Sequence, residues 1–440
     1  MIKSLLIANR GEIAVRIIRT CREMGIKTVC VYSQADAGAL HVKMADEAVC
    51  IGPPSSRDSY LNMSNIISAA VLKVCDAIHP GVGFLAENAA FARLVEHAGL
   101  IFIGPRPEVI ELLGDKVKAK ETAKKYHVPT IPGTEDAVDD RTALAAAEAI
   151  GFPVIVKAAA GGGGKGMRIV WNKDSLSETL RIASHEAETA FSDGRVYLEK
   201  YLDNPRHVEF QLLGDEHGNV IHLGERDCSI QQNHQKLVEE SPSPGVSPEM
   251  RKHMGRDAVR LFKQIGYRGA GTIEFLVQDN KYYFMEVNAR VQVEHTVTEM
   301  VTGIDIVREQ IRTCTGETLR YAQADVKLDG YAIECRINAI APGRVEEFLA
   351  PGGFRVRVDS LLVAGYVVPP YYDALVAKVL AGGDDRADGI RRMERVLSEF
   401  HLVGFPVNIE MQRKIISHPI FKKGQFGTGA LAEILKENQK

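Results

Sequence analysis

Residues 2–32 read IKSLLIANRGEIAVRIIRTCREMGIKTVCVY and contain an apolar run, an amphipathic run and a second apolar run. Residues 2–8 predict a buried strand, and residues 12–24 predict a helix, because the apolar residues of that stretch recur on one side. Residues 28–32 predict the next strand. A strand, a helix and a strand in this order form a β-α-β unit, which predicts two parallel strands in one sheet.

The same alternation continues toward residue 114, so we predict an α/β domain with a parallel, Rossmann-like sheet over residues 1–114. A second unit is predicted over residues 115–203. Residues 204–440 alternate strands with few long helices, which predicts a mixed α+β region. The connection Asn9–Glu12 lacks the G-x-G-x-x-G spacing, so a dinucleotide site has little support.

Composition excludes several classes of protein. The 440 residues carry 54 Lys and Arg against 57 Asp and Glu, a net charge of −3, whereas nucleic-acid scaffolds are usually strongly basic. Seven cysteines form an odd set without a C-x-x-C pair, which favours neither a disulfide framework nor a zinc site and indicates a reducing, cytoplasmic compartment. No stretch approaches the length of about 18 apolar residues that a membrane span needs, so we expect a soluble protein.

Residues 160–167 read AGGGGKGM and lie between two predicted strands. Consecutive glycines lose much entropy when they are ordered, so they suit a backbone that must flex or come close to a ligand. A mobile phosphate cover fits, because exposed N–H groups can point at phosphate oxygens while Lys157 and Lys165 add positive charge. The alternative is a floppy hairpin tip. The spacing is not that of a Walker motif, and these residues alone leave both interpretations open.

Residues 272–288 predict a β-hairpin with a loop over Asp279–Lys281. With a loop of that length, Glu274 lies opposite Glu286, and their Cβ atoms are about 5 Å apart. Two such carboxylates repel one another unless a cation lies between them, and Mg²⁺, with the Asn288 oxygen as a further ligand, suits these hard oxygen donors. A strict two-residue turn would place the two carboxylates on opposite faces and remove this site.

Residues 286–294 read EVNARVQVE and alternate polar and apolar residues. This pattern predicts one extended strand with a polar row of about 26 Å, at ~3.3 Å per residue, long enough to line a cleft. The alternative is a solvated face, but such faces usually carry Thr, Lys and Glu. Five further basic or protonatable residues are informative mainly as a group: Lys116, Lys157, His207, His234 and Lys236.

Together these segments resemble the biotin carboxylase branch of the ATP-grasp superfamily, the ATP-dependent component of acyl-CoA, pyruvate and related biotin-dependent carboxylases. The resemblance covers nearly the whole chain and rests on motifs in a fixed order. These motifs are ANRGEIA at 8–14, HPG at 79–81, the segment 157–167, EKYL at 199–202, HVE at 207–209, HQK at 234–236, MEVN at 285–288, RVQVEH at 290–295 and ECRIN at 334–338. The implied domains are an N-terminal pre-ATP-grasp domain (1–114), an ATP-grasp lid (115–203) and an ATP-grasp core with the C-terminal domain (204–440).

The resemblance implies binding sites for ATP, a metal and bicarbonate. The implied ATP-binding residues are Lys116, Lys157, Gly163, Gly164, Met167, Glu199, Lys200, Leu202, His207, Gln231, His234, Lys236, Leu276 and Glu286. The glycine run becomes a closing lid over that site. Magnesium, or manganese in its place, is implied at Glu274, Glu286 and Asn288. Bicarbonate is implied to contact Lys236, Arg290, Gln292, Val293 and Glu294.

The implied reaction has two stages. Bicarbonate attacks the γ-phosphate of ATP with Glu294 as general base, which gives carboxyphosphate and ADP. Carboxyphosphate then gives CO₂ and phosphate, this phosphate removes the biotin N1 proton, and Arg336, the implied biotin-binding residue, stabilises the ureido oxygen. The implied catalytic residues are Glu294, Arg290, Arg336 and Lys236. No step needs a thiolate, so we interpret Cys228 as structural.

The chain contains no Ala-Met-Lys-Met biotinylation sequence, so biotin is expected as a substrate attached to a separate biotin carboxyl carrier protein. A carboxyltransferase and a homodimer are the other implied partners, with acetyl-CoA favoured as the final acceptor and fatty acid biosynthesis as the process. Two alternatives remain. One is a nucleotide-binding regulatory or assembly paralogue, and the other is a different ATP-grasp ligase that couples an acyl-phosphate to an amine.

Three positions depart from the pattern of the family. Val82 stands where a tyrosine is typical, and Gln232-Asn233 stands where a more basic pair is common. After Asn338 the chain reads AIAPG at 339–343, where the family usually has an acidic turn and a longer loop. These departures lie toward the biotin side, so we hypothesise weaker or altered handling of biotin or its carrier.

Overall fold

The computed structural model describes residues 2–158, 167–191, 193–233 and 235–436. Its N-terminal part is a sheet with the strands β1 (Ser4–Ile7), β2 (Lys27–Ser33), β3 (Glu47–Gly52), β4 (Ala77–His79) and β5 (Ile101–Phe102). The helices of this part are α1 (Gly11–Glu23), α2 (Leu40–Met44), α3 (Met63–Leu72), α4 (Ala89–His97) and α5 (Pro107–Gly114). The strand order is β3-β2-β1-β4-β5, and every neighbouring pair is parallel. The predicted parallel α/β sheet is therefore confirmed.

Both faces of this sheet are buried. Leu5 and Ile7 of β1 pack with Ile17 of α1 in one apolar cluster, whereas Leu6 packs with Phe91 in another. Alternate residues of a strand point to opposite faces, so a strand buried on both sides appears as a continuous apolar run. This arrangement explains why residues 4–8 carry hardly any polar side chain.

A small antiparallel sheet follows. Its elements are α6 (Lys116–Lys125), α7 (Ala143–Ile150), β6 (Val154–Ala158), β7 (Met167–Val170), α8 (Leu176–Phe191) and β8 (Val196–Lys200). Strand β6 lies between β7 and β8 and is antiparallel to both. Helices α7 and α8 cover it through a core that includes Ala143, Val154 and Leu180. The glycine run 160–166, predicted to be a mobile cover, lies outside the described residues.

The rest of the chain is built on one large antiparallel sheet. Its strands are β9 (Arg206–Gly214), β10 (Val220–Gln232), β11 (Gln235–Ser241), β12 (Gly269–Gln278), β13 (Lys281–Asn288), β14 (Tyr331–Asn338), β17 (Val356–Ser360) and β19 (Leu375–Gly383). They follow the order β13-β12-β9-β10-β11-β14-β19-β17. The short strands are β15 (Gly343–Arg344), β16 (Glu347–Leu349), β18 (Val367–Val368) and β20 (His401–Val403). The helices are α9 (Pro248–Gln264), α10 (His295–Thr302), α11 (Ile306–Cys314), α12 (Arg386–Glu399), α13 (Ile409–Ser417), α14 (Pro419–Lys423) and α15 (Ala430–Lys436).

This antiparallel sheet and its helices complete a mixed architecture, so the predicted combination of α/β and α+β parts is confirmed. Among the described helices, none has both the length and the apolar character that crossing a membrane requires.

The hairpin β12–β13 differs from the prediction in its loop. Asp279 and Asn280 form a two-residue turn, with φ of 51° and 57°, and Lys281 already pairs with Gln278. Positive φ at both turn positions belongs to a type I′ turn, which Asp and Asn tolerate. The predicted three-residue loop is therefore wrong.

Glu274 nevertheless pairs with Glu286, as predicted. Between Phe284 and Glu286 the partner strand contains one extra residue, Met285, which forms a β-bulge. The bulge shifts the register by one residue and offsets the shorter turn. The two carboxylates thus occupy opposed positions for a reason that the sequence pattern did not indicate.

The strand predicted over residues 286–294 is too long. Strand β13 ends at Asn288, the chain then bends, and α10 begins at His295. The backbone N–H of Ala289 donates to Glu87 Oε1 at 2.9 Å, which diverts the backbone from the strand ladder. The polar side chains therefore do not form one straight row, and the bend turns them toward a common cleft.

Two buried glutamates face each other across the middle of the large sheet. Glu239 of β11 is the register partner of Glu334 of β14, and both are fully buried. Burial raises the pKa of Glu334 to about 8, against the attraction of Lys378, and the neighbouring Glu239 adds to the rise. The Thr296 hydroxyl donates to Glu334 Oε2. At neutral pH we therefore expect Glu334 to hold a proton.

This proton makes stability depend on pH. Because the pKa of Glu334 is higher in the folded chain, its contribution to stability is complete below its unfolded value and is lost as pH rises toward about 8. The substitution Glu334→Gln stays neutral and removes this loss. We expect the melting temperature of the variant, relative to the unsubstituted protein, to rise between about pH 5 and about pH 8.5, by the equivalent of about 1–3 kcal/mol.

Differential scanning fluorimetry across that pH range measures the effect. Glu148→Gln, at an exposed position of α7, is the control and is expected to show no such trend. A melting-temperature difference that stays constant with pH for Glu334→Gln would contradict the proton assignment.

Candidate active site

A cleft of about 700 Å³ opens where the N-terminal sheet, the hairpin β12–β13 and the C-terminal strands meet. Many of the residues predicted from sequence line it. They are Lys116, His207, Gln231, Lys236, Glu274, Glu286, Asn288, Arg290, Gln292, Val293, Glu294 and Arg336. Residues from four distant parts of the sequence thus share one cavity, which is the first requirement for a common site.

Lys236 of β11 lies at the centre of the cleft. Its ammonium contacts Glu209 at 2.5 Å, Glu294 at 2.6 Å and Glu274 at 2.9 Å. Burial opposes the charged form, but the three carboxylates raise the pKa of Lys236 well above its usual range. Lys236 therefore keeps its positive charge at neutral pH. It lies in the part of the cleft whose floor is the hairpin β12–β13.

Glu294 lies between two cations. One carboxylate oxygen contacts Lys236, and the other lies 3.0 Å from the Arg336 guanidinium, which also contacts Glu239 at 2.5 Å. Burial alone would raise the pKa of Glu294, but Lys236 and Arg336 hold it well below its usual range. Glu294 is therefore ionised, which is the form that can accept a proton.

The floor of the cleft carries oxygen donors suited to a hard cation. Glu274 Oε1 accepts hydrogen bonds from Asn288 at 2.9 Å and Gln292 at 3.0 Å, and His207 Nε2 lies 2.8 Å from its other oxygen. Glu286, across the hairpin, is one-third exposed and has Lys116 at 3.5 Å. Two carboxylates and an amide oxygen on one hairpin fit the ligand preference of Mg²⁺.

A second group of candidate ligands has both of its carboxylates paired with a lysine. Ligand atoms of His207, Glu209 and Glu274 lie within 4.8 Å of one another. Because Lys236 contacts both carboxylates, this group already holds a cation. The hairpin set shares Glu274 with this group but adds the partly exposed Glu286 and the Asn288 oxygen, so it is the better candidate for a metal ion.

Arg290 is held at the rim of the cleft. Its Nε donates to Glu87 Oε2 at 2.8 Å, and its Nη2 donates to Asn288 Oδ1 at 2.9 Å. Glu87, which also accepts from the N–H of Ala289, thus fixes both the side chain and the backbone of this segment. Sequence analysis did not identify Glu87, because no local pattern connects it with residues about two hundred positions away.

The predicted ATP residues of the small sheet lie apart from the lining of this cleft. Lys157 and Lys120 both contact the buried Glu199, which ties β6 and α6 to β8. The Lys200 ammonium donates to the carbonyls of Gly151 and Phe152, at 2.9 Å each. Also outside that lining are Met167, Leu202 and Leu276, whereas Gly163, Gly164 and His234 lie outside the described residues.

Arg226 is a central residue that sequence analysis missed. It is completely buried on β10 and donates to Glu209 at 2.6 Å and to Gln292 at 2.8 Å. It also donates to Gln211, Thr272 and Thr298. An arginine in an otherwise buried strand was the available signal, because such a side chain needs partners for its donors. The neighbouring Cys228 is fully buried, and burial raises the pKa of its thiol, as expected for a structural cysteine.

The opposite wall of the cleft is aromatic. Phe84 stacks on Tyr60 with ring centroids 5.0 Å apart, and the ring of Tyr372 lies 6.4 Å from Phe84. The Arg10 guanidinium lies 4.3 Å from the centroid of Tyr372, and Val82 lines the same wall. Apart from Val82, sequence analysis did not assign these residues to the site. Phe84 and Tyr372 thus give the cleft an aromatic side, with their rings nearly perpendicular to each other.

Comparisons with known proteins agree along the whole chain. Family models match the biotin carboxylase N-terminal domain at residues 1–110, the ATP-binding domain of the carbamoyl-phosphate synthase L chain at 115–322, and the biotin carboxylase C-terminal domain at 334–433. Biotin carboxylase 1 of Bacillus subtilis is 53% identical over 439 residues, 97% of this chain and 98% of the relative. A pyruvate carboxylase subunit of Methanothermobacter thermautotrophicus is 48% identical, over 97% of this chain and 89% of the relative.

A solved structure gives the same result. The biotin carboxylase domain dimer of the 2-oxoglutarate carboxylase from Hydrogenobacter thermophilus, in complex with MgADP, ADP and bicarbonate, superposes with a TM-score of 0.88 at 48% identity. The match covers 98% of both chains. With the fold, the cleft and these relatives in agreement, the chain belongs to the biotin carboxylase family of ATP-dependent ligases.

Proposed function

We propose that this chain carboxylates biotin on a carrier protein, with ATP and bicarbonate as co-substrates and carboxyphosphate as intermediate. The observation that carries the proposal is the position of Glu294, whose two oxygens contact Lys236 and Arg336 inside one cleft. A base is thus placed between one cation suited to phosphate and another suited to a planar oxygen acceptor.

The nucleotide is proposed to lie between the small sheet and the hairpin. Lys116, His207, Gln231 and Lys236 would face its phosphates from the cleft. The region of the small sheet would supply Lys157, Met167, Glu199, Lys200 and Leu202. The hairpin would supply Leu276 and Glu286, and the remaining predicted contacts are Gly163, Gly164 and His234. The contact of Lys157 with Glu199 would then change when phosphate arrives, because a phosphate competes for the same ammonium.

Glu274, Glu286 and Asn288 would hold Mg²⁺, or Mn²⁺ in its place. When bound, the ion would offset negative charge on the phosphate oxygens during transfer. Lys236 provides a second, permanent positive charge beside Glu274, and His207 lies on the other oxygen of that carboxylate. These residues keep Glu274 fixed and ionised, so that it can serve as a ligand.

In the first stage, Glu294 takes the proton of bicarbonate, while Arg290, Gln292, Lys236 and the backbone of Val293 orient the anion. A bicarbonate oxygen forms a bond to the γ-phosphorus as the bond to the β–γ bridging oxygen breaks, which releases ADP and leaves carboxyphosphate. Because bicarbonate is a poor nucleophile, the rate of this stage would depend strongly on how the anion is oriented and deprotonated.

In the second stage, carboxyphosphate divides into CO₂ and phosphate. The phosphate takes the N1 proton of biotin, and N1 attacks CO₂. Arg336, partly buried and held by Glu239, would offset the charge that develops on the ureido oxygen. The aromatic wall with Phe84 and Tyr372 would shield the labile intermediate from water.

The partners are proposed to be a biotin carboxyl carrier protein, a carboxyltransferase and a second copy of the chain. Acetyl-CoA is the proposed final acceptor, with fatty acid biosynthesis in the cytoplasm as the process. Relatives named for pyruvate and 2-oxoglutarate carboxylation have closely similar sequences, so the acceptor would be chosen by the carboxyltransferase. Contacts among Glu294, Arg336 and Lys236 favour an enzyme over a regulatory paralogue, which would not need them.

The first test is ADP release by the purified protein with Mg-ATP and bicarbonate. We expect release to depend on bicarbonate and to increase with excess free biotin. Glu294→Gln removes the base and is expected to lower the rate about 100-fold or more. A coupled ADP assay measures both, with Glu148→Gln as a control of unchanged rate. Release that is independent of bicarbonate, or a Glu294→Gln rate within about two-fold of the original, would contradict the proposal.

The metal assignment has a separate test. Glu286→Gln removes a charged ligand, so the Mg²⁺ concentration for half-maximal ADP release is expected to rise about ten-fold or more. Titration of Mg²⁺, and of Mn²⁺ in parallel, measures this shift at saturating bicarbonate. If both titration curves match those of the unsubstituted protein, Glu286 is not a ligand.

Position 82 tests the hypothesis on biotin. Val82→Tyr restores the residue typical of the family and is expected to lower the KM for free biotin about three-fold or more, because a larger side chain extends the aromatic wall. Val82→Ala is the matched control and is expected to leave that KM unchanged or higher. An unchanged KM in Val82→Tyr would remove this residue from the explanation of biotin handling.

A further inference from the structure

The backbone turn at Gln292–Glu294 is held from behind by two buried side chains. Lys378 of β19 donates to the carbonyl of Val293 at 2.6 Å. His295, the first residue of α10, lies with its Nδ1 2.7 Å from the carbonyl of Gln292. Both side chains have no solvent exposure, and neither lines the cleft. The two consecutive carbonyls of this turn are therefore fixed on its protein side.

A planar trans peptide points its N–H away from its C=O. The carbonyls of Gln292 and Val293 are directed toward His295 and Lys378, so the N–H groups of Val293 and Glu294 are directed away from them. Val293 and Glu294 line the cleft. Among the described residues, neither of these N–H groups donates to a protein acceptor. Two adjacent, unpaired N–H groups at a cavity surface suit an anion.

The state of His295 matches this role. Burial and the nearby Lys378 lower the pKa of His295 well below its usual range, so the ring is neutral. A neutral imidazole has one N–H, and the carbonyl of Gln292 requires that proton on Nδ1. The other nitrogen, Nε2, is buried, with Glu299 at 4.0 Å. The ring therefore serves as a fixed donor to the turn.

Lys378 connects the turn to the N-terminal helix α1 and to the C-terminal strand β19. Its ammonium lies 3.4 Å from Glu12 Oε2, at the start of α1 in the N-terminal part, while Lys378 itself belongs to the C-terminal strand β19. Burial opposes its charge, but the carboxylate of Glu12 raises its pKa. One buried cation thus fixes the turn relative to two other parts of the fold.

We propose that Lys378 and His295 are positioning residues for bicarbonate, which hold the Val293 and Glu294 amides as a preformed anion site. This inference rests on the proposed function. It adds two residues that do not contact ATP, bicarbonate or biotin. When the site is already ordered before the anion binds, little of the binding free energy is lost to ordering the backbone. Loss of either donor frees one peptide group to rotate, and the anion then loses part of its site.

Calorimetric titration of bicarbonate in the presence of ADP tests the proposal. The variants are His295→Leu, which removes the donor, His295→Asn, whose amide can place an N–H near the position of Nδ1, and Lys378→Met. We expect the bicarbonate Kd to rise about ten-fold or more in His295→Leu and Lys378→Met, and to stay within about three-fold in His295→Asn. The ADP Kd is expected to stay within about two-fold in all three.

Other results overturn the proposal. These are an unchanged bicarbonate Kd in the folded variants, a parallel loss of ADP binding, or an Asn variant as weak as the Leu variant. If neither His295→Leu nor Lys378→Met remains folded, the two residues serve the fold and the proposal is rejected. The outcome is separable from the proposed function: bicarbonate binding without ADP release refutes the reaction, whereas normal ADP release with an unaltered Kd in the variants refutes only the positioning role.

Discussion

The Lys236 ammonium, enclosed by the carboxylates of Glu209, Glu274 and Glu294, is the interaction on which the cleft depends. Two of these carboxylates are register partners on the neighbouring strands β9 and β12, and the third comes from the turn before α10. Burying them together without a cation would cost desolvation and mutual repulsion. Removing one partner from such a group typically costs about 3–5 kcal/mol, so the arrangement of the three segments and the charge of Lys236 require each other.

A second junction joins the N-terminal part to the C-terminal part beside the cleft. Arg10 forms a bidentate pair with the fully buried Asp36 and also contacts Tyr366, whose hydroxyl donates to the same carboxylate. Arg10 and Asp36 belong to the N-terminal part, whereas Tyr366 belongs to the C-terminal part. Because Arg10 also lies over Tyr372, this junction fixes the aromatic wall relative to the N-terminal part. Ion pairs thus hold both the aromatic wall and the charged floor of the site.

Local patterns predicted the elements well and their connections less well. The helix expected at residues 12–24 is α1, because its apolar periodicity needs no distant information. The pair Glu274–Glu286 was predicted for the wrong reason, since a shorter turn and the bulge at Met285 compensate each other. The predicted strand over residues 286–294 was wrong because an alternating pattern reports only which side chains are exposed. A bent segment that lines a cleft can produce the same pattern as a straight strand.

The missed residues share a physical cause. Arg226, Glu87 and Lys378 act through partners far away in sequence, and single residues carry no periodicity that would reveal such partners. The resemblance to a family pointed to residues that are proposed to meet substrate, because those form recognisable motifs. Residues that support them from behind are dispersed, and only the three-dimensional arrangement relates them to the site.

The large sheet carries Glu274 on β12, Glu209 on β9, Lys236 on β11 and Arg336 on β14, all within one hydrogen-bonded ladder. Neighbouring strands in such a ladder stay about 4.8 Å apart, a pitch that backbone hydrogen bonds determine. In the proposed reaction, the sheet is therefore a rigid spacer between the phosphate end and the biotin end. Any opening that admits the proposed nucleotide has to come from parts outside this ladder, so the sheet would set the distance that the proposed intermediate travels.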